Sequence, residues 1–271
     1  MLKDITIGQF FPGDSFIHRL DPRMKIILTA LYIVVVFMPT NPAGLLVAAV
    51  FAVLSYLVAH IPLRTVRKSL KPVLPIVFFT TILNIFFIDG TVLLEFGFIK
   101  VTYEGVLLSL LMVLRIICLI AGTSLLTYTT SPIALTDAIE RLFGPLMWLG
   151  LPVHELAMMM TIALRFIPTL IEETDKIMSA QKARGADMES GSLIDRVKAL
   201  IPILVPLFVS AFRRALELAT AMECRCYRGG EGRTHMRQMH IMAGDMFALV
   251  FMCACLVGVI MLNRILPSVY T

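Results

Sequence analysis

Long apolar runs, broken at short polar intervals, dominate the chain. From Ile26 to Leu63 no residue is formally charged at neutral pH, and the run is interrupted by Pro39-Thr40-Asn41-Pro42, a turn-forming cluster. A helix needs roughly 20 apolar residues to cross a ~30 Å hydrocarbon core. This stretch therefore predicts two membrane spans joined by a tight hairpin. Val73–Ile88 predicts a third span, short and opened by Pro72 and Pro75. Gly105–Tyr128 predicts a fourth, carrying one charge at Arg115, and Met246–Asn263 a fifth.

The stretch from Thr129 to His240 follows another pattern. It is too charged to be spans and too apolar to be a disordered loop, and its apolar residues recur at helical period. Val153, Leu156, Met160, Leu164, Ile167, Ile171 and Met178 form one stripe; Val197, Leu200, Leu204, Phe208, Phe212, Ala215, Ala219 and Met222 form another. Ser131-Pro132 opens a short helix, with proline suited to a first turn. Gly150 and Pro152 separate it from a long helix. Gly185 and Ser190-Gly191-Ser192 divide that helix from the next, which is expected to end at Gly229-Gly230. The long helices are about 33 and 37 residues, roughly 50 Å each at 1.5 Å per residue. Kinks are expected at Pro168 in the first and at Pro202 and Pro206 in the second. The predicted fold is thus an all-α integral membrane protein. Residues 1–128 form a membrane domain of four spans, 129–240 a cytoplasmic domain of one short and two long helices, and 241–271 a C-terminal span.

Composition and charge refine this picture. The chain is 58% hydrophobic and 16% charged, with mean hydropathy +0.85, well to the apolar side of a soluble domain. All of the 24 Lys and Arg except Lys100, Arg115 and Arg264 fall before the first span, between the second and third, or within 129–240. The positive-inside rule then places the N-terminus and the central region in the cytoplasm of a plasma-membrane protein. Five spans put the C-terminus outside. The first twenty residues are polar and mixed, so the first apolar run is expected to act as its own insertion signal. A nucleic-acid partner is disfavoured, because Glu172, Glu173, Asp175, Asp187, Glu189, Asp195 and Glu217 make the central field mixed in sign.

Each long helix ends in an arginine beside small residues. The first end reads Ala183-Arg184-Gly185, the second Cys224-Arg225-Cys226. An arginine is always charged, offers five donors in a planar fork and offsets the helix dipole at a C-terminus. Small neighbours let another surface approach the backbone. Ordinary capping is the plainer account of either end alone; two such ends in one insertion weigh somewhat against it and leave docking on partner grooves as the alternative. Arg115 is costly in lipid and marks a functional or bundle-facing position unless it snorkels to an interface. Asn84 in the third span is read as interhelical glue before ligand. The five cysteines are read as reduced thiols. Cys224 and Cys226 lack enough partners for a metal site, even with His235 and His240 nearby in sequence. No phosphate-binding Gly-x-x-x-x-Gly-Lys-Ser/Thr loop occurs, nor any catalytic constellation, so the chain is expected to be no enzyme and to hold no cofactor of its own.

Several blocks together resemble the T component of energy-coupling factor (ECF) transporters. His18-Arg19-Leu20-Asp21-Pro22-Arg23-Met24-Lys25 is similar to that family's N-terminal signature. Leu125-Leu126-Thr127-Tyr128-Thr129-Thr130-Ser131-Pro132, Ala163-Leu164-Arg165-Phe166-Ile167-Pro168, Ala180-Gln181-Lys182-Ala183-Arg184-Gly185-Ala186, Val205-Pro206-Leu207-Phe208 and Ala221-Met222-Glu223 follow in register. The resemblance implies that the long helices are crossed coupling helices. Arg184 and Arg225 would each dock on one of two ABC-type ATPase subunits, which bind the ATP. A small membrane S component, embedded in the same lipid bilayer, would bind a vitamin or metal. The second motif departs from the family pattern in having Cys224 and Cys226 around Arg225. The competing reading is a secondary transporter with its own intramembrane site. That reading needs several polar groups deep in the spans, where only Arg115 and Asn84 qualify, and the chain shows no internal repeat.

Overall fold

The computed structural model describes residues 10–88, 91–96, 99–186, 193–230 and 239–266. Its elements in order are α1 (Phe16–Arg19), α2 (Pro22–Phe37), α3 (Pro42–Ala59), α4 (Leu63–Leu70), a 3₁₀ turn (Lys71–Val73), α5 (Leu74–Phe87), β1 (Val92–Phe96), β2 (Ile99–Thr102), α6 (Tyr103–Thr129), α7 (Pro132–Phe143), a second 3₁₀ stretch (Gly144–Leu149), α8 (Val153–Ala183), α9 (Leu193–Cys224) and α10 (Ala243–Ile265). The protein is an all-α membrane protein with one small addition. β1 and β2 form an antiparallel hairpin between α5 and α6, with Glu95 opposite Lys100. Periodicity over such short strands gave no signal for it. Internal contacts divide the chain into two units, one within 136–236 and the other made of 8–135 and 237–271.

Local chemistry sets the helix starts. Asp21 caps α2 by accepting the Arg23 N–H, with Pro22 at the first helical position. Thr102 caps α6 by accepting the Gly105 N–H. The Pro39–Pro42 turn does separate α2 from α3. Six helical runs among the described residues are long and apolar enough to cross a membrane: Pro42–Ala59, Arg64–Phe87, Tyr103–Thr129, Val153–Ala183, Lys198–Cys224 and Ala243–Ile265. The third expected span thus begins further upstream, because α4 and α5 run on through the 3₁₀ turn. At 16 residues α2 is shorter than a full span. The long helices α8 and α9 qualify by length and composition although each carries several charges along its length.

Within the unit of 8–135 and 237–271, α2, α3, α6 and α10 pack about a core of Tyr32, Val35, Val36, Ala48, Ala52, Cys118, Met252 and Val259. In lipid no hydrophobic force draws helices together, so close packing and polar ties hold them. Small residues supply the close packing. A Cβ on Gly122 would lie 2.1 Å from the Tyr32 ring. The Tyr32 hydroxyl reaches across the same gap to the carbonyls of Ala48 and Cys118 at 3.3 and 3.2 Å. Gly122→Ala is therefore expected to cost about 1–3 kcal/mol by overpacking, read as a lower thermal midpoint of the detergent-solubilised chain.

Polar ties fasten α10 at both ends. At its start, the Asp245 carboxylate accepts the Asp21 N–H at 2.8 Å and the Met242 N–H at 2.7 Å, and Asp245 is 0% exposed. Beside it Asp21 pairs with Arg23 at 2.8 Å, and the Lys25 ammonium donates to the carbonyls of His18 and Thr129 at 3.0 and 2.8 Å. At the far end, Asn41 donates to Leu266 at 2.9 Å and Asn263 donates to Met38 at 2.8 Å. The sequence signature His18–Lys25 is thus the place where α2, α6 and α10 are joined.

Candidate functional site

Ala183-Arg184-Gly185 lies at the C-terminal end of α8. The Ala186 N–H donates to the Gln181 carbonyl at 3.0 Å and the Gly185 N–H to Lys182 at 3.0 Å. Gly185 has φ +86°. This is a Schellman cap with glycine in the left-handed position and Arg184 as the C-cap. Cys224-Arg225-Cys226 at the end of α9 repeats it bond for bond. The Tyr227 N–H donates to Met222 at 3.1 Å, the Cys226 N–H donates to Glu223 at 2.8 Å, and Cys226 has φ +56°. Arg225 therefore occupies the same C-cap position as Arg184, and Cys226 stands where Gly185 stands. The six residues are exposed at both ends. The departure in the second motif leaves the backbone shape intact, at the expense of a Cβ in the left-handed region. Cys226→Gly is expected to stabilise this end by about 1 kcal/mol, seen as slower amide exchange at Tyr227.

The two ends lie far apart. Helices α8 and α9 run antiparallel and meet at several levels. Gln181 donates to the Pro202 carbonyl at 3.2 Å. Glu173 receives Arg214 at 2.6 Å and also the Ser210 hydroxyl, and the Tyr227 hydroxyl donates to the Met158 sulfur at 3.0 Å. Arg184 therefore lies near the level of Pro202, and Arg225 lies 23 residues further along α9, roughly 35 Å at 1.5 Å per residue. The α9 helix stops at Cys224, earlier than the Gly229-Gly230 expected from the sequence. The residues after it instead fold back on α8, where a Cβ on Gly230 would meet the His154 ring at 2.7 Å.

The apolar stripe read from α9 proves to be an outward one. Leu204, Phe208 and Phe212 are 45%, 61% and 68% exposed, whereas Ile203, Leu207, Ser210, Arg214 and Leu218 lie at least half-buried. The helix has two apolar faces, and the sequence pattern favoured the one that α8 does not cover. The α8 stripe is half-buried from Leu164 to Met178, while its members Leu156 and Met160 are exposed. Glu173, Ser210 and Arg214, which fix the pairing, carry no local signal; only their polar character amid apolar faces marks them.

The intramembrane candidates are placed as follows. Arg115 donates to the Pro39 carbonyl at 2.6 Å, reaching the polar turn between α2 and α3. Asn84 is half-buried where α5 meets α6, its carbonyl oxygen 3.1 Å from the position of a Cβ on Gly105. His235 and the Ser190-Gly191-Ser192 break lie outside the described residues. Among those described, no group of three His, Cys, Asp or Glu is arranged to hold a metal ion.

A bundle of apolar helices tied at its ends, with six helical runs among the described residues long and apolar enough to cross a membrane, defines a multi-pass membrane protein. The profile of the family described as "Cobalt transport protein" (CbiQ) matches residues 13–236. The chain is 56% identical over 245 residues to the "Energy-coupling factor transporter transmembrane protein EcfT" of Ruminiclostridium cellulolyticum, covering 90% of this chain and 92% of the relative. It is 54% identical over 268 residues to the protein of that name from Clostridium kluyveri (98% of each) and 49% identical over 240 residues to that of Bacillus subtilis (88% and 91%). The chain belongs to the EcfT family of energy-coupling factor transporter transmembrane proteins.

Proposed function

We propose that this chain is the coupling subunit of an ECF-type importer. Two ABC-type ATPase subunits dock on it, one at the Arg184 end of α8 and one at the Arg225 end of α9. A small membrane S component binds the vitamin or metal and lies against its helices. The chain catalyses nothing; ATP is bound and hydrolysed by the partners. Closure of the ATPase pair displaces the two caps, and the long helices carry that displacement to the S component, which reorients and releases its substrate inward. Residues 129–240 and the N-terminus are cytoplasmic in this reading, and the C-terminus is outside, as the placement of Lys and Arg favours.

The observation that carries the reading is the pair of matching caps, Arg184 and Arg225, at opposite ends of one antiparallel helix pair. Two equal subunits require two equal sockets at a separation of their own scale, and roughly 35 Å suits two small domains side by side. The uncovered apolar face of α9 at Phe208, Phe212 and Leu216 supports a further apolar partner. Arg115 is spent on a backbone turn, which leaves little for a cargo site within the chain.

The test is co-expression with ABC-type ATPases and candidate S components from the same genome, followed by detergent purification on a tag carried by this chain. Recovery of two ATPase subunits and one S component supports the reading. A chain that purifies alone while transporting a solute in liposomes would replace it with the secondary-transporter reading.

A further inference from the structure

The bundle of 8–135 and 237–271 holds a cavity of about 360 Å³, lined chiefly by Leu28, Tyr32, Phe51, Leu125, Phe247 and Phe251. Its wall is apolar, and the polar groups on it are turned to other duties. Lys25 donates to His18 and Thr129, Thr29 to Lys25, Tyr32 to Ala48 and Cys118, Tyr56 to Ala121, and Thr129 to Leu125. Ser55 alone of the lining hydroxyls has no such bond among the described residues. Such a cavity offers nothing to a polar solute and favours hydrocarbon.

What lies beside it gives the hydrocarbon a headgroup. Ile17, Tyr56 and Leu125 line the cavity and also pack in one cluster with Val66 of α4. Helix α4 is fastened there, because the Tyr128 hydroxyl donates to the Thr65 carbonyl at 3.3 Å and also meets Ser69. Its inner side therefore carries Thr65, Val66 and Ser69, while Arg64, Arg67, Lys68 and the following Lys71 are exposed. Four cations on the exposed side at the start of the run Arg64–Phe87 form a surface for anionic lipid.

We infer that the bundle carries a site for one anionic phospholipid, with an acyl chain in the cavity and its phosphate on Arg64, Arg67, Lys68 and Lys71. The site does not depend on the coupling role and would exist in the chain alone.

The experiment is native mass spectrometry of the full-length chain in mild detergent, offered equimolar phosphatidylglycerol and phosphatidylcholine of the same chain length. One phosphatidylglycerol should be retained about tenfold over phosphatidylcholine. A triple variant, R64E/R67E/K68E, should abolish the preference, and Ala248→Phe or Ser55→Leu, which fill the cavity, should abolish the bound lipid. The charge variants alter exposed side chains only, so they decide the question even where the filled cavities fail to fold. Glycerol phosphate without acyl chains should not compete. Equal retention of the two lipids, retention unchanged in the charge variants or the filled cavities, or competition by glycerol phosphate would each overturn the site. Cavity variants that block recovery of a membrane partner, with no lipid retained by the wild type, would overturn it in favour of a protein occupant.

Discussion

Asp245→Ala is expected to lower the stability of the bundle by about 3–5 kcal/mol, the usual cost of removing one partner from a buried ionic network. The carboxylate is 0% exposed and accepts two backbone N–H groups, one from Met242 at the start of α10 and one from Asp21 at the start of α2. Its loss leaves both donors buried without an acceptor and leaves Lys25 and Arg23 short of negative charge. Asp245→Asn keeps the shape and one acceptor oxygen and should lose about half as much. Thermal or urea denaturation in detergent checks both. An Asp245→Ala protein within 1 kcal/mol of wild type would mean that α10 is held by packing alone.

The second large effect falls on assembly. Arg184→Glu and Arg225→Glu should each weaken one ATPase interface by about 2–5 kcal/mol, thirtyfold or more in affinity, while leaving the fold unchanged. Both side chains are exposed in the chain itself. The double variant should lose both ATPases and with them uptake. The caps act through backbone hydrogen bonds that the arginine side chain does not make, so a purely capping role predicts no change in ATPase retention. Titrating each variant with purified ATPases separates the two accounts.

The apolar helices, the Pro39–Pro42 turn and the two long helices were legible because their signals are local: apolar runs and a 3.6-residue period. The arginine ends were legible as motifs, but their equivalence was not. Cys226 reads as a departure from glycine until its φ of +56° shows it filling the same left-handed position as Gly185. The tie of Asp245 to Asp21 was illegible because the two stand 224 residues apart in the chain. Which face of α9 a neighbour covers was not legible, because a helix with two apolar faces offers the sequence no means to tell. The β1–β2 hairpin spans too few residues for its alternation to rise above the noise.

The most direct test of the coupling account is site-specific photo-crosslinking in the membrane-embedded complex. A photoreactive residue is placed in turn at Arg184, at Arg225 and at Phe208, which lies between them on the exposed face of α9. The account predicts that the first two positions each capture an ATPase subunit and that Phe208 captures none. Crosslinks to the ATPases from Phe208 in place of the two caps, or from none of the three positions, would contradict it.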